Sequence, residues 1–335
     1  MKITPIVYVN YKAPRLIFLH FVPGRSSNNT AMGDKHYEHL SLLSEPWRTI
    51  NWGDKQSALQ YVKNYKPHDE GQQLRILLHG PAGAGNSSFI NSVQSVLHGR
   101  MNTLALAENI NHDSFTRKKP RLIRPGNIFP VFNCPILYTT YKIQKESPES
   151  FYPFILSDIM GLDPIKGVQV EDIKLALKGH VKDGYRFKPE SPLSEDDQFY
   201  NKSPTANDKV HVLVCVVGVS RIHQMNNITV EKIRNIRLEA SHLGIPQVAI
   251  LTKIDYCSEI KQDLKNIYRS KFLKNKMEQF SAEVGIPMNC IFPVKNYHEE
   301  IDLNNDVDSL LLSALTNIIN FGEDCINFKK SQSEC

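Results

Sequence analysis

Eight consecutive residues, Gly80-Pro81-Ala82-Gly83-Ala84-Gly85-Asn86-Ser87, have the spacing of a loop that wraps a phosphate. They match G-x-x-x-x-G-K-[S/T] at every fixed position but one, where Asn86 stands in place of lysine. The chemistry of such a loop is mostly backbone chemistry. Glycines let the chain curl until successive N–H groups converge on one anion, and a helix starting directly afterwards aims its partial positive end at the same point. Gly80, Gly83, Gly85, Asn86, Ser87 and Ser88 are therefore the candidate phosphate-binding residues, and the Ser87 hydroxyl is of the type that ligates Mg2+ beside a nucleotide. Asn86 removes a full positive charge from the β- and γ-phosphates. An amide still donates a hydrogen bond, but such a bond to a charged group is worth about 1.5–3 kcal/mol, so binding is expected to weaken by roughly one to two decades. Read by itself, the octapeptide also fits an ordinary strand, glycine turn and helix.

Two further motifs lie downstream in the order a nucleotide switch requires. Asp158-Ile159-Met160-Gly161 follows the apolar run Phe154-Ile155-Leu156 and has the D-x-x-G form. There Asp158 would hold Mg2+ through water, and the Gly161 N–H would sense the terminal phosphate. Thr252-Lys253-Ile254-Asp255 ends the run Val248–Leu251 and has the [N/T]-K-x-D form of a guanine reader. A carboxylate at Asp255 accepts from both the ring N–H and the exocyclic amine of guanine, which adenine cannot match. Lys253 would lay its stem along the base, with Thr252 as the third guanine-side residue; a helix cap at Asp255 is the plainer alternative. Thr116 is the candidate switch threonine, giving Ser87, Thr116 and Asp158 as the Mg2+ set, with Arg117-Lys118-Lys119 beside it within reach of phosphate. Leu162 stands where several GTPases carry a water-orienting glutamine, and an apolar side chain orients no water. The expectation is GTP or GDP bound with Mg2+, and at most a weak GTPase. His36-x-x-His39 lacks the glutamate of a zinc helix and reads as a solvated pair.

Positioning these loops requires strands that end together. Leu74-Arg75-Ile76-Leu77-Leu78, Phe154–Leu156, Val210–Val219, Val248–Leu251 and Cys290–Val294 are short apolar runs, and Ile136–Ile143 is a β-branched and aromatic run suited to a sheet edge. Between them, 87–97, about 226–243, 258–284 and Val307–Ile319 carry helical spacing, and 47–66 reads as a lead-in helix. Alternation of this kind predicts an α/β fold: a mostly parallel central sheet with helices on both faces, resembling a P-loop G domain. The expected organisation is a poorly ordered arm over 1–45, one P-loop domain over 46–322 with a charged insert at about 164–208, and a tail over 323–335.

Composition bounds the rest. The 335 residues are 41% hydrophobic and 22% charged, the balance of a globular protein. A net charge of +5 over this length is too dilute to predict a nucleic-acid partner. Leu16–Val22 is too short to span a bilayer, and the scattered cysteines form no C-x-x-C pair, so a reducing, cytoplasmic setting is expected.

The runs LRILLHGPAGAGNSSFINSVQSVLHG, YPFILSDIMGLD and QVAILTKIDYCSE, with PWR at 46–48 and PVKNY at 293–297, resemble the interferon-induced protein 44 and 44-like family over about 45–322. The resemblance implies an interferon-induced protein of innate, antiviral immunity. It carries the phosphate role to Gly80, Gly85 and Ser87, the switch role to Asp158 and Gly161, and the base-reading role to Thr252, Lys253 and Asp255. It also implies lysine where this chain has Asn86, a departure that bears on nucleotide affinity and leaves a nucleotide-free scaffold as the alternative. Longer members carry a further N-terminal domain of TLDc type, and residues 1–45 do not resemble it, so its function is expected to be absent.

Overall fold

The computed structural model describes residues 42–69, 71–105, 137–147, 149–162 and 167–333. Thr116, Arg117-Lys118-Lys119, His36, His39 and nearly all of the expected arm lie outside them.

Among the described residues, six strands build one sheet: β1 (Leu74–Gly80), β2 (Tyr138–Gln144), β3 (Phe151–Met160), β4 (Val212–Gly218), β5 (Gln247–Thr252) and β6 (Ile291–Pro293). Their order across the sheet is β2-β3-β1-β4-β5-β6, and all neighbours are parallel except the edge pair β2/β3. The fold is thus the mostly parallel α/β sheet that the alternation predicts. Strand β4 (VLVCVVG) is buried along its whole length, as a central strand covered on both faces must be. Its side chains alternate between two cores: Leu213, Cys215 and Val217 enter one, Val212, Val214 and Val216 the other.

The helices divide accordingly. α1 (Lys55–Asn64), α2 (Asn86–His98) and α7 (Asn305–Ser333) supply Val62, Phe89, Ile90, Leu311 and Leu315 to one core. α3 (Val170–Leu177), α4 (Asn227–His242), α5 (Ser258–Gln262) and α6 (Lys271–Val284) supply Ile173, Ile236, Ile260 and Phe280 to the other. Burying both faces of one sheet in this way is what makes the strand ends a fixed platform.

Several elements differ from expectation. The lead-in helix starts at Lys55 rather than 47, because Trp47 packs edge-on against Tyr268 and Arg48 donates to the carbonyls of Ile291 and Met288. The 258–284 segment breaks at Asp263, whose extended backbone ends α5, and α6 restarts with Ser270 capping Leu273 N–H. Cys290 lies in the turn before β6, not within the strand. The insert holds α3 and buries Tyr185, Phe187 and Leu193, so it is part of the core. The final helix runs well past Ile319: residues from 323 on, expected as a tail, continue it to Ser333 with Cys325 and Ile326 buried.

Candidate functional site

Parallel strands bring their C-terminal ends to one edge of the sheet, and in open α/β sheets ligands bind in the crevice outside that edge. Here Gly80 ends β1, Met160 ends β3, Gly218 ends β4 and Thr252 ends β5, so the three sequence motifs converge there.

The phosphate loop leaves β1 at Gly80, which lies against β4 so closely that a Cβ would stand 2.1 Å from the Val216 carbonyl oxygen. Ala84 N–H then bonds Pro81 O at 3.0 Å, closing a turn. Gly83 (φ 72°) and Gly85 (φ 104°) take left-handed backbone, and Gly85 is the N-terminal cap of α2. The helix therefore begins at Asn86, one residue before Ser87. Its first N–H groups have no acceptor within the helix and are the donors that would face an anion there.

Asn86 and Ser87 are buried, and both side chains turn to Asp158 at the end of β3. Asn86 Nδ2 donates to Asp158 Oδ1 at 2.9 Å, and Ser87 Oγ donates to Asp158 Oδ2 at 3.1 Å. Burial pushes the Asp158 carboxyl up to about 6, against the pull of these two hydrogen bonds. Asn86 Oδ1 is buried and accepts no hydrogen bond among the described residues. Gly161 follows with φ 95°, and Leu162 donates its N–H to Gly80 O at 3.1 Å while its side chain is buried. Leu162 is thus a core residue, and a solvent-facing role at this position is closed to it.

The base-reading motif divides by residue. Thr252 is fully buried, and its hydroxyl donates to Ala84 O of the phosphate loop. Its place is therefore bracing rather than facing a base. Lys253 is the sole non-glycine described residue with positive φ (57°), and its stem passes within 3.5 Å of where a Gly218 Cβ would stand. Partial desolvation and the neighbouring Arg221 charge lower its ammonium, with Asp255 opposing. Asp255 is exposed.

One contact escaped sequence reasoning. Asn296, in the loop after β6, donates from Nδ2 to Gly85 O at 3.2 Å. Its only signal in the sequence is its place inside PVKNY.

These residues fit a phosphate in shape: the Gly80 approach, the two left-handed glycines and the start of α2 make a cradle without side chains. Ser87 and Asp158, already in contact, are the oxygen pair that would hold Mg2+, which would screen phosphate charge when bound. No cluster of three or more His, Cys, Asp or Glu fit for a metal exists among the described residues, and Thr116, the third residue of the expected Mg2+ set, lies outside them.

Mouse interferon-induced protein 44 is 34% identical over 265 residues, 78% of this chain and 58% of its own length. The human 44-like protein is 31% identical over 267 residues (78% and 55%), and human interferon-induced protein 44 is 33% identical over 273 (81% and 57%). By sequence, the chain is a relative of the interferon-induced protein 44 and 44-like proteins. It spans little more than half the length of these relatives. No family model matches it. Among solved structures, Toc33 from Arabidopsis thaliana in complex with GDP and Mg2+ aligns with 80% of this chain and 96% of its own at 12% identity and a TM-score of 0.41. Among the described residues, no helix is long and apolar enough to cross a membrane.

Proposed function

We propose that the chain is a guanine-nucleotide-binding module of the interferon-induced antiviral response, acting in the cytoplasm with slow or absent hydrolysis. The observation that carries this reading is the bond from Thr252 Oγ1 to Ala84 O, because it ties the base-reading motif to the phosphate loop over a separation of 168 residues. A nucleotide whose phosphates sat on the 80–88 cradle would extend its base toward Lys253 and Asp255. Mg2+ at Ser87 and Asp158 would supply part of the charge that a loop lysine supplies elsewhere. Titrating the protein with fluorescent GTP and GDP, with and without Mg2+, tests the reading. Saturable binding that is lost in Asp255→Ala supports it, and equal preference for ATP overturns it.

A second reading is favoured by one contact. The Asn86 amide gives one of its two N–H donors to Asp158, which is what a loop retained for its fold would do. The chain would then be a nucleotide-free scaffold working through protein partners. Asn86→Lys conferring nucleotide binding that the parent lacks supports the scaffold, whereas a GDP-dependent thermal shift of the parent rules it out.

A further inference from the structure

Asn296 reaches the phosphate loop at a carbonyl already in use. Gly85 O accepts from Phe89 N–H at 2.8 Å, the first hydrogen bond of α2, and from Asn296 Nδ2 at 3.2 Å. The preceding carbonyl, Ala84 O, is held by the Thr252 hydroxyl. A trans peptide is planar, with its N–H pointing opposite its C=O. Holding the carbonyls of Ala84 and Gly85 from behind therefore fixes the directions of the Gly85 and Asn86 N–H groups, two donors of the cradle.

The residue after Asn296 ties this clamp to the rest of the fold. Tyr297 donates its N–H to Ser92 Oγ on α2 at 3.0 Å, and its hydroxyl donates to Asp308 Oδ1 on α7 at 2.6 Å while accepting from Asn304 N–H. Asp308 is fully buried, and Lys55, the first residue of α1, places its ammonium 2.6 Å from Asp308 Oδ2 with a hydrogen bond to Asn305. These contacts lead from Lys55 at the start of α1 through Asp308 to Tyr297, whose neighbour in the chain, Asn296, holds the loop carbonyl.

We propose that Asn296 is a positioning residue of the phosphate loop, and that Tyr297 and Asp308 couple the loop's order to the lead-in helix through Lys55. The affinity part of this proposal rests on the nucleotide reading above; the coupling part does not.

Amide hydrogen exchange of the full chain tests it, read at Ala84 and Phe89, whose N–H groups bond the loop carbonyls of Pro81 and Gly85, against β4 as internal reference. Asn296→Ala is expected to speed exchange at both amides about tenfold over any change in β4, the scale of one lost hydrogen bond. Asn296→Gln, which keeps an amide donor, should recover part of that protection. Lys55→Met should move the same amides in the same direction by a smaller factor. Equal acceleration of loop and β4 in Asn296→Ala, or a loop unaffected by Lys55→Met, overturns the proposal. Fluorescent GDP is the separate arm: a parent that binds none sinks the nucleotide reading alone, whereas binding that weakens about tenfold in Asn296→Ala and recovers in Asn296→Gln supports both.

Discussion

Asn86 and Asp158 face each other across 2.9 Å, amide donor to carboxylate, at the position where a phosphate loop ordinarily carries its charge. Asp158 is 4% exposed and has Ser87 as its other side-chain donor. Asn86→Ala removes one of the two. At pH 8, where the carboxylate is charged, we expect a loss of about 1–3 kcal/mol, the cost of an unsatisfied buried group. At pH 5 the loss should shrink, since a protonated carboxyl needs less. Urea denaturation at the two pH values measures both.

Asp158 also gives stability a pH dependence of known sign. Its folded value of about 6 lies above the ordinary 3.8. Below pH 3.8 both states are protonated; between 3.8 and 6 the unfolded state gives up its proton while the folded state still holds one, so stability falls as pH rises and levels off above 6. Asp158→Asn abolishes this term, so the variant should be the more stable protein at pH 8, by up to about 3 kcal/mol, with the gap closing near pH 4. His79 and His211, both lowered to about 4 chiefly by burial, act with the opposite sign between pH 4 and 6.5, but they are common to the two proteins and cancel in the difference. Denaturation curves of both proteins from pH 4 to 8 decide the matter. A variant less stable than its parent at pH 8 would contradict the assigned burial.

Three glycines separate steric from conformational cost. Gly80→Ala pushes a methyl into the Val216 carbonyl at the centre of the sheet and should cost at least about 3 kcal/mol, or abolish folding. Gly85→Ala meets Asn296 and Thr252 at 3.1 and 3.3 Å as well as an unfavourable φ, and should fall between. Gly99→Ala, with φ +70° and nothing within 4 Å, should cost only about 1–2 kcal/mol. Melting temperatures ranked in that order check the assignment.

Truncation after Gly322 tests whether the last residues belong to the domain. It removes buried Cys325 and Ile326, the Glu323 carboxylate that accepts from Tyr65 and from His68 N–H, and the Lys330–Asp69 pair. Ile326 alone predicts a loss of about 2 kcal/mol, to which the smaller Cys325 adds. A truncated chain with unchanged denaturation midpoint would show the helix end to be dispensable.

What could be read from sequence divides along local and distant contacts. The phosphate loop, β4 and α4 were legible because turn glycines, apolar runs and helical spacing are properties of a few neighbouring residues. Asn86 as a partner of Asp158 was not, since its contact lies 72 residues away and only folding creates it. Thr252 was legible as part of a base-reading motif, yet its hydroxyl points to the loop because β5 ends beside α2's start. Residues 323–333 looked like a tail because charged positions dilute the pattern; the helix is held instead by Tyr65 and Asp69, just past the end of α1. The break at Asp263 had a signal, Ser270 as a cap, which a continuous helical count overrode.

α7 has a mechanical consequence. Its 29 residues make a rod of roughly 43 Å. It begins beside Tyr297 at the crevice edge, and its Gly322 presses onto Leu74 and Val212, where β1 and β4 start. A dye or tether attached near Ser333 would therefore sit at the far end of a stiff lever whose fulcrum is the sheet, and any tilt imposed there would be felt at the crevice, where the rod begins.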